Sequence, residues 1–121
     1  MPPAPPEAEC QSRAALVTLQ HQRLRALLAD VHGRNRFYTR KLDDAGVRLD
    51  SLRLPDDFKT LPLTTRHELA ADQDTSPPWG TVHTEPLDRY TRYNQTSSTT
   101  GRPLRWLDTN ESWQWVLDCW Q

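Results

Sequence analysis

The sequence predicts an α/β fold in which helices come first and a β-hairpin followed by a helix comes last. Three observations point to it. From Leu16 to Val31 apolar residues recur mostly at three- and four-residue spacings, the period of one helix face. Two short segments of strand-like composition, Arg89 to Gln95 and Leu104 to Leu107, flank the run Thr96-Ser97-Ser98-Thr99-Thr100-Gly101. Beyond them Trp113, Val116, Leu117 and Trp120 fall at i, i+3, i+4 and i+7, again one face of a helix.

Residues 1–11 read as a disordered leader, because Pro2, Pro3, Pro5 and Pro6 break both helix and strand ladders. From Ser12 an amphipathic helix of about five turns is expected, stopped by Gly33. Asn35 is a good N-cap for a second helix with the stripe Tyr38, Lys41, Leu42 and Ala45, ended by Gly46. Val47 to Pro62 alternates apolar and acidic residues and is expected to be an ordered connector, with Pro55 and Pro62 blocking regular structure. Thr65 and Glu68 stand three apart, the spacing of a capping box, and predict a short third helix. Asp74 to Pro86, with three prolines and Gly80, reads as a loop. Asp108 and Glu111 have the spacing of a second capping box before the last helix. That helix is still laying down its apolar face where the sequence stops at Gln121, so the chain reads as a fragment.

The totals narrow the functional classes. The 121 residues carry 15 Lys+Arg against 16 Asp+Glu, a formal net charge of −1, which offers no push toward nucleic acid or an anionic membrane. Mean hydropathy is −0.82 and no long apolar run occurs, so a soluble, cytoplasmic protein is expected. Cys10 and Cys119 sit at opposite ends, without a CxxC, and read as free thiols. His21, His32, His67 and His83 lack ligand spacing, so no metal site is expected. Arg34, Arg36, Arg40 and Lys41 cluster, but with Asp43 and Asp44 beside them they read as a solvated face. No G-x-S-x-G is present, and nothing else supports a nucleophile.

The stretch Tyr93 to Trp106, YNQTSSTTGRPLRW, is the one built for chemistry. Small residues from Thr96 to Gly101 offer successive backbone N–H groups and hydroxyl donors, and Gly101 can take φ > 0 to curl them into a concave nest. Arg102 adds a fixed positive charge, and Pro103 sets an extended exit. Phosphate is the natural ligand of such a loop. Neither G-x-x-x-x-G-K-[ST] nor G-x-G-x-x-G occurs, so this is no Walker or dinucleotide fingerprint.

The segment TSSTTGRP resembles the [ST]-S-G-T-T-G-[KR]-P phosphate loop of the acyl-adenylate-forming, or AMP-binding, superfamily. FYTRKLDDAGV, FKTLPLTTRHELAAD and PPWG precede it in the order found at the start of phenylacetate–coenzyme A ligases, and the resemblance runs from about Leu24 to the end. It implies that residues 12–121 are the N-terminal part of an adenylating enzyme's large domain. It further implies an AMP-forming acid–coenzyme A ligase. Such an enzyme joins a small-molecule carboxylic acid to ATP, with Mg2+, and then passes the acyl group to coenzyme A. Carried over position by position, Thr96, Ser97, Ser98, Thr99, Thr100, Gly101 and Arg102 are the nucleotide-contacting residues, with Ser98 standing where the family has glycine.

No catalytic residue is expected within the chain, because the later elements of such a site lie outside these residues. The chain alone is therefore expected to be inactive, and the rest of the enzyme is its expected partner. From another class comes the alternative of a non-catalytic remnant, or an interaction module docking through the Trp113/Trp120 face.

Overall fold

The computed structural model describes residues 11–97 and 101–120. The leader 1–10 and the loop residues Ser98, Thr99 and Thr100 lie outside them, as does Gln121. The element order is α1 (Arg13–Val31), α2 (Arg36–Asp44), α3 (Arg66–Thr75), β1 (Arg92–Gln95), β2 (Arg105–Asp108) and α4 (Asn110–Asp118). Helices followed by a hairpin and a helix is the expected architecture.

The helix starts follow their caps. Ser12 Oγ accepts from the Ala15 N–H at 3.2 Å, and Asn35 Oδ1 accepts from the Tyr38 N–H at 3.1 Å. Gly33 and Gly46, both at positive φ, stand just past α1 and α2. At α3 the box closes both ways. Thr65 Oγ1 accepts from the Glu68 N–H at 3.2 Å, and Glu68 Oε2 accepts from the Thr65 N–H at 2.7 Å.

Several expectations are corrected. The residues that α2 buries are Phe37 and Leu42; Tyr38 and Lys41 are half-buried and Ala45 is exposed. The prolines of the connector do not block all regular structure, because a 3-10 turn (Asp56–Thr60) follows Pro55, whose fixed φ suits a helical start. α3 runs on to Thr75, so the loop expected from Asp74 begins later. β1 begins at Arg92 rather than Arg89, because a 3-10 turn (Leu87–Arg89) follows Pro86. At α4 the box is Thr109 with Ser112, not Asp108 with Glu111, since Asp108 closes β2. That helix ends at Asp118 with Cys119 as its C-cap, so Trp120 lies beyond it and does not share its face.

Among the described residues the core is small. Phe37 of α2, Leu69 of α3 and Leu104 before β2 form one buried cluster, with Tyr38, Ala70 and Val82 packed on it. α1 and α4 bury no residue completely. The segment after α3 is tied back through Asp72, whose carboxylate accepts from the Thr81 N–H and the Thr81 hydroxyl, both at 2.6 Å. Gly80 sits at φ +69°, and a Cβ there would run into the Asp72 carboxylate, so glycine is required twice over.

Candidate functional site

The hairpin pairs antiparallel in the register Arg92↔Asp108, Tyr93↔Leu107, Asn94↔Trp106 and Gln95↔Arg105. The register continues one step further at Thr96 and Leu104. The Thr96 N–H donates to the Leu104 carbonyl at 2.9 Å, and the Leu104 N–H donates to Thr96 Oγ1 at 2.9 Å. Thr96 is therefore the neck of the loop, leaving residues 97–103 to span it. Its oxygen is committed as an acceptor, and a threonine hydroxyl also carries one proton that it can donate.

Ser97, Gly101 and Arg102 are exposed in that span. Gly101 has φ 159°, close to fully extended rather than the curl expected of it. Ser98, Thr99 and Thr100 lie outside the described residues. The Arg102 guanidinium projects with 78% of its side chain accessible and pairs with Asp74 of α3. The other arginine of the exit limb, Arg105, is committed. Its Nε donates to Gln95 Oε1 at 3.3 Å and its Nη1 to the Pro78 carbonyl at 3.2 Å. Arg102 is thus the cation that the loop presents.

Sequence reasoning missed what α3 contributes. Arg66 Nη2 donates to the Arg102 carbonyl at 3.1 Å. Gln73 Nε2 donates to the Arg105 carbonyl at 2.9 Å, and Gln73 Oε1 accepts from the Arg105 N–H at 3.2 Å. The only available signal was the i, i+7 spacing of Arg66 and Gln73, which puts them on one face with Leu69 and Ala70. α3 is further held to α2 by the pair Lys41–Glu68. The Lys41 ammonium first, and the Thr65 N–H after it, lower the Glu68 carboxyl to a pKa of about 2.

On the face with Arg92, the Arg92 guanidinium lies over the Trp113 ring, 4.1 Å from its centroid. Asn94 Nδ2 donates to Asp108 Oδ2 at 3.1 Å beside it. Trp113 is therefore half-buried rather than part of an open Trp113/Trp120 face. Tyr93 tilts against Trp79 on the hairpin's other side, with centroids 5.5 Å apart. Two members of the basic cluster are paired: Arg34 meets Asp30 and Glu85, and Lys41 meets Glu68. Among the described residues no group of three or more His, Cys, Asp or Glu could hold a metal ion. No described helix is long and apolar enough to cross a membrane.

The chain is 36% identical over 98 residues to a phenylacetate–coenzyme A ligase of Thermus thermophilus, and 34% identical over 95 residues to one of Escherichia coli. Its fold superposes on a 2-hydroxyisobutyryl–CoA ligase in complex with 2-HIB-AMP and CoA, with TM-scores of 0.81 and 0.82 at 25% and 27% identity. The chain belongs to the adenylate-forming acyl–CoA ligases. The matches cover 81% and 78% of it, but it spans only 21% of either curated relative. For the solved ligase the figures are 94% of this chain and 27% and 25% of the other. No protein-family model matches the sequence.

Proposed function

We propose that this chain is the phosphate-loop segment of an AMP-forming acid–coenzyme A ligase like the phenylacetate ligases. The observation that carries this is a hairpin loop with a closed neck that presents one cation, Arg102, in a chain whose relatives are ligases of this kind. The ligand is the polyphosphate of ATP. It would meet the Arg102 guanidinium, the exposed Ser97 and Gly101, and the hydroxyl proton of Thr96. Thr99 and Thr100, with Ser98, join on sequence grounds.

The donors fit a phosphate, since all are N–H or O–H groups that need no deprotonation. The described residues supply no carboxylate cluster for Mg2+, which fits an ion carried largely by the nucleotide's own phosphates. The carboxylic acid and coenzyme A would meet parts of the ligase outside this segment. Within it, residues 96–102 act by position and charge: they hold the leaving pyrophosphate while the acid attacks the α-phosphate.

ATP's β- and γ-phosphates are present only in the adenylation half-reaction. In the complete ligase, Arg102→Ala is therefore expected to slow acid-dependent ATP–pyrophosphate exchange roughly ten- to a hundredfold, by loss of a charge-assisted contact of about 1.5–3 kcal/mol. Thioester formation from supplied acyl-adenylate stays unchanged. Equal loss in both halves, or in neither, would sink the phosphate-loop assignment.

A further inference from the structure

We propose that Gln73 is a positioning residue for the phosphate loop, an inference that rests on the function proposed above. Its side-chain amide fixes where the exit limb 102–105 leaves the loop, and so where Arg102 stands.

The hairpin leaves the Arg105 backbone groups to find partners outside the sheet. Thr96 and Leu104 hydrogen-bond to each other, so by the alternation of an antiparallel ladder the Arg105 N–H and carbonyl point away from β1. Gln73 takes both, with Nε2 toward the carbonyl and Oε1 toward the N–H. A flipped amide would face donor to donor and acceptor to acceptor, so the pairing fixes its orientation.

The clip acts along a matched length. From Arg66 to Gln73 α3 rises about 10.5 Å, and the extended limb from Arg102 to Arg105 covers about 10 Å. Arg66 holds the limb's start through the Arg102 carbonyl, Leu104 packs with Leu69 midway, and Gln73 holds its end. These three contacts hold the limb's backbone along α3 from its start to its end.

The side chain of Arg102 is held differently. Its partner Asp74 is half exposed, and an exposed ion pair holds only weakly. Asp74 thus parks the guanidinium and gives it up to a polyphosphate, whereas the half-buried Gln73 keeps the backbone beneath it in place.

The test has two readouts. In the 121-residue chain, Gln73→Ala is expected to speed amide hydrogen exchange of Arg105 at least tenfold. Gln73→Glu keeps the acceptor for that N–H and is expected to preserve most of the protection. In the complete ligase, Gln73→Ala is expected to raise the KM for ATP about tenfold in the adenylation half-reaction, with Gln73→Glu in between and thioester formation from supplied acyl-adenylate unchanged. Unaltered exchange at Arg105 overturns the clip. Faster exchange with both half-reactions unchanged, or both lowered together, makes Gln73 merely structural and overturns its positioning role. If Arg102→Ala also leaves adenylation intact, it is the phosphate-loop assignment that fails, and the exchange result still reports the clip separately.

Discussion

Helices α3 and α4 begin alike and end up in different situations. Each starts at a threonine whose hydroxyl accepts from the N–H three residues on, with the third side chain reaching back. α3 then buries Leu69 and Asp72, grips the exit limb through Arg66 and Gln73, and is braced by Lys41. α4 buries nothing completely; Leu117 is 42% exposed, and Trp120 just beyond the helix is 87% exposed. A helix start is thus a local event that a few residues secure. What the helix contributes to stability depends on whether another surface covers its apolar face.

Core truncation is the largest expected way to separate the two. Leu104→Ala removes a side chain that is 4% exposed against Phe37 and Leu69, and is expected to cost about 2–5 kcal/mol. In a domain of ordinary stability, about 5–15 kcal/mol, that is a large share. Leu117→Ala is expected to change stability by less than about 0.5 kcal/mol. Urea unfolding of the chain and its two variants checks both. A cost for Leu117→Ala near that of Leu104→Ala would show that α4 is covered after all.

Capping comes next. Thr65→Ala and Thr109→Ala each lose one cap, worth about 1 kcal/mol to its own helix. Hydrogen exchange is expected to show faster local opening in both helices. Only Thr65→Ala should carry that loss into global unfolding, because α3, unlike α4, is built into the core. If Thr109→Ala lowers global stability equally, the contrast between the helices disappears.

The smallest effect is acid sensitivity. Glu68 has a folded pKa of about 2 against an ordinary value of 4.5. A carboxyl lowered in this way stabilises the fold fully above its unfolded pKa, and that contribution is lost as pH falls from about 4.5 through about 2. The corresponding position in α4 is Ser112, which does not titrate. Glu111 in its first turn is also lowered, by its own backbone N–H first and the Thr109 hydroxyl second. Carboxyl NMR should place the Glu68 midpoint near 2, and Glu68→Gln should flatten the acid dependence of α3. A Glu68 midpoint near 4.5 would mean that neither the Lys41 contact nor the Thr65 cap holds its carboxylate in solution.

Much of this was legible in the sequence for a common reason. Ser12, Asn35 and Thr65 announced helix starts because a cap is satisfied within three residues, and Gly33 and Gly46 marked stops because their backbone conformations are local too. The hairpin around Thr96 to Gly101 could be read from composition, and its ligase resemblance from the order of short motifs. The second capping box was misplaced by one residue. Asp108 and Thr109 are both acceptable caps, and only strand pairing with Arg92 decides that Asp108 belongs to β2.

Local signals along the chain thus set the element order, the starts of the first three helices, the hydroxyl-rich loop with its arginine, and the family to which they point. Each depends on neighbours a few residues apart. Tertiary structure decided that Thr96 closes the neck of the loop rather than lining only its mouth. It also decided that Arg105 is committed while Arg102 projects, and that Gln73, 32 positions before Arg105, holds the limb between them. Those are facts about which donors and acceptors meet when α3 lies along the hairpin. A residue's own type cannot specify them, because a glutamine on a helix surface carries the same amide whether it faces water or a strand edge.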